Sequence, residues 1–215
     1  MLQLRPGLSF GFVADRAVVL DLEADRYFLL DGAPLRLIRD AMANRLDARR
    51  CLQFERLGAR PLFIAGHAGV APVVAPAPVG SALERAVDGR GDVPLRHLFA
   101  AQCRANGALK FLSLESVIAR WRAVRPQLPA RLDLAAAISL AQGYAAKRPL
   151  LPLRRSCVPD SLAIMRLLWR HRLDADLFFG VRLEPFAAHC WVQSGDLVLS
   201  DPLSNVVDFT PVFRL

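Results

Sequence analysis

Three residues near the C-terminus are of the types that carry out acyl chemistry, and they occur in a telling order. Cys157 sits in Arg154-Arg155-Ser156-Cys157-Val158-Pro159, His189 in the apolar run Ala187-Ala188-His189-Cys190-Trp191-Val192, and Asp201 twelve residues later in Ser200-Asp201-Pro202. A thiol becomes a nucleophile when an imidazole takes its proton, and the imidazole works best when a third group fixes its tautomer. Taken singly, simpler readings exist: His189 as a satisfied core histidine, and Asp201 as a turn residue. The elements around the three decide between these readings.

Cys157 stands where a helix should start. Ser156 or Val158-Pro159 marks the first turn, where proline is favoured, and the helix SCVPDSLAIMRLLWRHRL (156–173) has its apolar face on Leu162, Met165, Trp169 and Leu173. The positive end of the helix dipole and the neighbouring Arg154 and Arg155 both favour a thiolate, and such settings bring a cysteine from about 8.5 to roughly 3.5–7.5. His189 falls in a predicted strand, 187–193, followed by another at 197–201. If Ser194-Gly195-Asp196 forms a three-residue hairpin loop, 193 pairs with 197, 191 with 199 and 189 with 201. Asp201 then faces His189 with about 4.5–5.5 Å between Cβ atoms. A two-residue loop instead sets His189 against Ser200 and turns Asp201 to the other face.

The other candidates are weaker. Cys51, Cys103 and Cys190 are scattered, with no Cys-x-x-Cys pair, so neither a zinc cage nor a disulfide framework is expected. Cys51 and Cys103 read as helix packing, and Cys190 as core, because it alternates to the face opposite His189. His67, His97 and His171 have surface or cap roles. No metal and no cofactor is called for.

The elements that must position these residues form an α+β pattern. Short β-type runs at 8–13, 17–22 and 26–30, joined by 14–16 and 23–25, predict a three-stranded antiparallel meander. Helices follow at 34–46, with Leu35, Ile38 and Met42 inward, and at about 47–58. The proline-rich stretch APVVAPAPVG (71–80) reads as a linker. Beyond it, helices are expected near 81–88, 94–106, 113–123 and 130–146, with breaks at Gly91, Gly107 and Pro126, then the 156–173 helix and strands at 175–182, 187–193 and 197–201. This gives a small N-terminal domain (1–70), a linker (71–80) and a larger C-terminal domain (81–215).

Composition narrows the setting. Of 215 residues, 53% are hydrophobic and 22% charged, which suits a globular protein. No apolar run approaches the roughly 20 residues that span a bilayer, and Met1–Arg16 lacks the layout of a signal peptide, so no membrane association and a cytoplasmic location are expected. The net charge is +8, yet all but two of the 28 basic residues are arginines, spread along the chain without interleaved aromatics, so nucleic-acid binding is not expected. An acidic peptide partner accounts for the charge equally well.

The motifs Cys157-x-Pro-Asp-Ser-Leu-Ala-Ile, Leu177-Phe-Phe-Gly-Val-Arg182 and Phe186-Ala-Ala-His-Cys-Trp-Val192, over about 147–201, resemble the leader peptidases of lasso peptide biosynthesis, which are transglutaminase-like cysteine proteases. Cys190 departs from the alanine usual in that family. The segment DLEADRYFLLDG (21–32) with its following helix is similar to the family's winged-helix-like leader-recognition domain, related to the pyrroloquinoline quinone chaperone fold. The resemblance implies a Cys157–His189–Asp201 mechanism that cuts the leader from a ribosomally made precursor peptide. An asparagine synthetase-like macrolactam cyclase then closes the ring. It also implies leader docking as an added strand, here on Arg26, Tyr27, Phe28, Leu29 and Leu30, with Arg49, Arg50 and Arg56 meeting acidic leader side chains. Acyl transfer to an amine and a non-catalytic peptide-binding role are the alternatives.

Overall fold

A computed structural model describes residues 2–46, 56–57, 60–86, 91, 93–125 and 133–215. The chain is α+β and divides into two compact units, 1–74 with 210–213, and 75–209 with 214–215. The sequence division assigned everything after residue 80 to the second domain, so Thr210–Phe213 departs from it.

In the first unit, β1 (Leu2–Leu4) is followed by the meander β2 (Leu8–Val13), β3 (Arg16–Asp21) and β4 (Arg26–Leu30), ordered β2-β3-β4. The register Val13↔Arg16 leaves a two-residue loop with Ala14 at φ 53°, and Asp21↔Arg26 leaves a four-residue loop with Asp25 at φ 49°. Both connections thus differ by one residue from the expected three. The second is pinned by Asp21, whose carboxylate accepts the amides of Glu23 and Ala24 (3.0 and 3.1 Å) and pairs with Arg5 at 2.6 Å. Helix α1 (Gly32–Met42) buries Leu35 and Ile38 against Phe10, Ala17, Val19 and Leu30. Met42, expected inward, is exposed at the helix end.

Strands β5 (Arg56–Leu57) and β6 (Arg60–Pro61) pair antiparallel, and β7 (Phe63–Ala65) pairs with β1. Arg56 and Leu57 are therefore strand, not the end of a 47–58 helix, and the rest of that predicted helix, with Arg49, Arg50 and Cys51, lies outside the described residues. Val73 donates to the Phe10 carbonyl at 2.8 Å on the outer side of β2, which leaves β4 as the other outer strand of the meander.

The second unit begins with β8 (Gly80–Ser81) and a single 3-10 turn at Ala82–Glu84, where a helix over 81–88 was expected. Helices α2 (Leu95–Phe111), α3 (Leu114–Ala123), α4 (Leu134–Lys147) and α5 (Cys157–Arg170) follow. Ser113 caps α3 by accepting the Ser116 amide, and Asp133 caps α4 by accepting that of Ala136, as helix N-termini require. Gly107 does not break α2. It lies inside the helix at a cost of about 1 kcal/mol relative to alanine. Cys103 is exposed on the same helix and so is not packing.

Helix α5 is apolar on nearly every side, and such a helix must be enclosed. Leu162, Ala163, Ile164, Met165, Leu167, Leu168 and Trp169 are all buried. The Trp121 indole donates to the Leu162 carbonyl at 3.0 Å, which fixes α3 to it. Strands β9 (Asp176–Leu183), β10 (Phe186–Ser194) and β11 (Leu197–Val198) follow, in the order β9-β10-β11-β8, with β11 and β8 parallel. The final strand β12 (Thr210–Arg214) leads to Leu215, which exchanges backbone hydrogen bonds with Leu177 (3.2 and 2.9 Å), while Arg214 pairs with Asp176 at 2.6 Å.

Candidate active site

Helix α5 starts at Cys157, with Ser156 extended before it (φ −153°, ψ 141°). The first amides of a helix have no intrahelical acceptor, so the N–H groups around Cys157 are available to the thiol and to whatever binds there. A buried network holds this helix start. Arg148, only 1% exposed, reaches Asp160 in the first turn at 2.9 Å and donates to the carbonyls of Leu153 and Arg154 (3.1 and 3.0 Å). Gln102 donates to Asp160 at 2.8 Å and to the Tyr144 hydroxyl at 2.5 Å, and that hydroxyl donates to the Asp160 carbonyl at 3.1 Å. Burial, reinforced by Asp160, pushes the Tyr144 phenol well above its ordinary value, so it stays a neutral donor. A buried charge is tolerated when paired and hydrogen-bonded, and here the pairing ties α2, α4 and the 153–154 loop to the turn bearing Cys157.

On the sheet, the connection from β10 to β11 is Gly195-Asp196, a two-residue loop with Gly195 at φ 57° and pairs Ser194↔Leu197 and Gln193↔Val198. The three-residue register is therefore wrong. Strand β11 also ends after two residues. Leu199 still donates to the Val192 carbonyl at 2.8 Å, but the Ser200 hydroxyl then accepts the Val192 amide at 2.9 Å and the chain bends away. That bend, rather than cross-strand pairing, brings Asp201 to His189, with Oδ1 3.2 Å from Nε2. Ser200 donates to the other carboxylate oxygen at 2.6 Å, and Ser81 donates to the Asp201 carbonyl at 2.6 Å.

Where β11 stops, the start of α5 takes its place along β10. Ser161 donates to the Cys190 carbonyl at 3.0 Å, and the Cys190 amide hydrogen-bonds the Cys157 sulfur. The structure thus brings Cys157, His189 and Asp201 together, with Nε2 of His189 on Asp201 and Nδ1 left for the thiol.

The electrostatics follow from these contacts. Burial resists ionisation of Cys157, but the hydrogen bond and charge of His189 and the amides of Cys190 and Val158 outweigh it, so the thiol lies below its ordinary value. Arg154 and Arg155, both exposed, are not what lowers it, as solvent screens them. Burial also resists the charged form of His189, yet hydrogen bonds to Asp201 and Cys157, with their charges, raise it to about 9. Each partner thus favours the charged form of the other, the thiol shifted down and the imidazole shifted up. Cys190, next to His189 in sequence, is buried with its thiol pushed well up by burial, so the two cysteines are chemically unlike.

A cavity of about 460 Å³ opens onto Cys157, His189 and Asp201, with Leu83, Ala141, Ala145 and Asn205 among its walls. Among the described residues no cluster suits a metal ion, and no helix is long and apolar enough to cross a membrane. Of the other sequence candidates, Arg26 and Leu29 are exposed on β4, Tyr27 and Phe28 are half-buried, and Leu30 is buried. Phe28 and Leu30 turn towards the core of the first unit.

Sequence reasoning missed Ser161, Ser200, Ser81 and the shelf under His189. His189 stands against Trp191 (ring centroids 6.3 Å apart, 15° between planes) and Phe209 (5.5 Å). Gly180 lies opposite His189 in the register, and a Cβ there would come within 2.5 Å of the Trp191 ring and 3.1 Å of Phe209. Gly180→Ala should therefore push this shelf and tilt the imidazole. We expect kcat to fall about 10- to 100-fold, because an ångström of misplacement has that effect. Steady-state kinetics with a parallel melting curve check it, and unchanged kcat would show that the shelf does not set the imidazole.

No solved structure matches the chain. A 48-residue stretch is 40% identical to the microcin J25-processing protein McjB of Escherichia coli, covering 22% of this chain and 23% of that protein. The transglutaminase-like superfamily model matches residues 98–214, just over half of the chain, and contains all three of Cys157, His189 and Asp201. The chain belongs to the transglutaminase-like superfamily.

Proposed function

We propose that the protein is the leader peptidase of a lasso peptide pathway, cutting the leader from a precursor peptide before an asparagine synthetase-like cyclase closes the macrolactam. The observation that carries this reading is the imidazole of His189 set between the Cys157 thiol and the Asp201 carboxylate. The likeness of one stretch to a microcin-processing protein supports the choice of substrate.

In this mechanism the Cys157 thiolate attacks the carbonyl carbon of the scissile amide. The oxyanion is met by amides at the start of α5, that of Cys157 among them. His189 gives its proton to the leaving nitrogen, and the C–N bond breaks to leave a thioester on Cys157 and a free amine. Neutral His189 then takes a proton from water, hydroxide attacks the thioester, and the thiolate departs. The freed α-amine is the group a cyclase needs. Asp201 stabilises the imidazolium and holds its tautomer throughout.

Incubating the full chain with a precursor peptide and weighing the products tests this. Hydrolysis gives two fragments that together outweigh the precursor by one water. An amine adduct in place of that water would establish acyl transfer instead, and an intact precursor would refute peptidase activity.

Leader recognition is assigned to the β4 edge. Leu22 donates to the Gly7 carbonyl at 2.9 Å, which by antiparallel alternation directs Asp21, Val19 and Ala17 towards Arg26, Phe28 and Leu30. The backbone of Leu29 therefore faces away from β3, and an added strand would pair there. Proline is tolerated on an edge strand where its missing N–H pointed outward. Leu29→Pro should keep the meander yet weaken leader binding about 3- to 10-fold, the worth of one backbone hydrogen bond of about 0.5–1.5 kcal/mol. Titration calorimetry of the full chain measures this, and undiminished affinity would remove β4 as the docking edge.

A further inference from the structure

Helices α2 and α3 and the middle of α5 enclose a second groove, which takes no part in the chemistry above. Its volume is about 600 Å³, its floor is formed by Gly107, Ala108, Leu112 and Trp121, and its rim carries Arg104, Arg120 and Arg166. Arg166 lies about 13 Å along α5 from Cys157, at 1.5 Å per residue. Two large apolar side chains stand exposed at its margin, Phe111 (78%) and Val124 (45%).

The charge around this groove is uncompensated among the described residues. Among the described residues, no ion pair involves Arg104, Arg120, Arg166 or Arg170. The Nε of Arg166 is buried with no hydrogen-bond partner among the described residues, a state that costs free energy until an acceptor arrives. Burial first, then repulsion from Arg104 and Arg170, makes the Arg166 guanidinium easier to deprotonate than an ordinary arginine. Guanidinium groups in such a setting are matched by carboxylates, which they grip in bidentate fashion.

Gly107 gives an independent sign. It sits within α2, and a Cβ built on it would meet nothing within 4 Å. Packing therefore does not demand glycine, which costs the helix about 1 kcal/mol relative to alanine. A bare backbone on the groove floor does permit close approach by another chain.

From the uncompensated arginines, the apolar floor and the unneeded glycine, we infer that this groove docks an acidic amphipathic helix of a protein partner. Apolar side chains of that helix seat over Gly107 and Ala108, and its carboxylates meet Arg104, Arg120 and Arg166. Charge complementarity selects this occupant: a second copy of this chain, at net charge +8, would bring mainly positive charge to a positive rim.

The test uses the full chain and a fluorescent helical peptide with leucines at i, i+3, i+4 and i+7 and glutamates elsewhere. A scrambled peptide of the same composition and a single-stranded oligonucleotide serve as rival ligands. The amphipathic peptide should bind, weaken with added salt, and protect Cys103, which lines the groove, from N-ethylmaleimide as read by mass mapping. Gly107→Leu fills the floor with a good helix former and should weaken binding at least tenfold. Arg104→Glu with Arg120→Glu should do the same, and both variants should keep their melting temperature and leader cleavage. Equal binding of the scrambled peptide or the oligonucleotide, or indifference to Gly107→Leu, would overturn the inference.

Discussion

Replacing Cys157 by alanine should abolish leader cleavage, a loss of about 10⁴-fold or more in kcat, while the protein still folds and still binds the leader. No other described thiol has the same setting: Cys190 is buried and held protonated, and Cys103 is exposed away from the imidazole. Alanine is a strong helix former, so the start of α5 survives the change. His189→Ala should be as damaging, and the double variant hardly worse than either, because residues that act as a unit lose their effect together. Single-turnover cleavage followed by mass spectrometry, with leader affinity measured alongside, makes the comparison. Normal cleavage by Cys157→Ala would mean another nucleophile does the work.

The second large effect concerns pH. In the proposed mechanism, cleavage needs the thiolate and the imidazolium at once. Since the thiol lies below its ordinary value, the rate should rise on the acid side as the pair forms, and it should fall near pH 9 as His189 loses its proton. The acid limb carries the thiolate and the alkaline limb the imidazolium, which gives a bell in kcat/KM. Asp201→Asn removes the charge that raises His189 and leaves at most a neutral acceptor in place of the carboxylate, while burial, which lowers it, remains. The alkaline limb should therefore move to lower pH, with kcat down about 10²- to 10⁴-fold. A rate loss with the limb still near 9 would show that Asp201 does not govern the imidazole.

Much of this site is legible in the sequence itself. The order of Cys157, His189 and Asp201, the helix start at 157 and the strand around 189 follow from period and capping, which are local properties. The meander over 8–30 was likewise readable from alternation, although its loops were each misjudged by one residue. The hairpin register was not, because Ser194-Gly195-Asp196 permits loops of either length and the sequence carries no sign that β11 stops at Val198. Two errors, one in register and one in strand length, offset each other: the bend at 199–201 returns Asp201 to the imidazole that ideal pairing would have denied it. Glycine misled in another way. Gly107 reads as a break, yet the packing of α2 overrides a local cost of about 1 kcal/mol. The buried Arg148–Asp160–Gln102 network could not be foreseen, since its members are spread from 102 to 160 and no local pattern links them.

The shortness of β11 also matters for solubility. A strand whose outer amides and carbonyls lack partners is a template for another chain, and long bare edges are where aggregation begins. Beyond Val198, β10 would present such an edge at Cys190 and Val192. Instead the Ser200 hydroxyl occupies the Val192 amide, Ser161 occupies the Cys190 carbonyl, and the Cys157 sulfur takes the Cys190 amide. The polar groups that assemble the reactive thiol therefore also close the sheet to strand-by-strand growth, so losing Ser161 or Ser200 would open a sticky seam as well as disturb the chemistry.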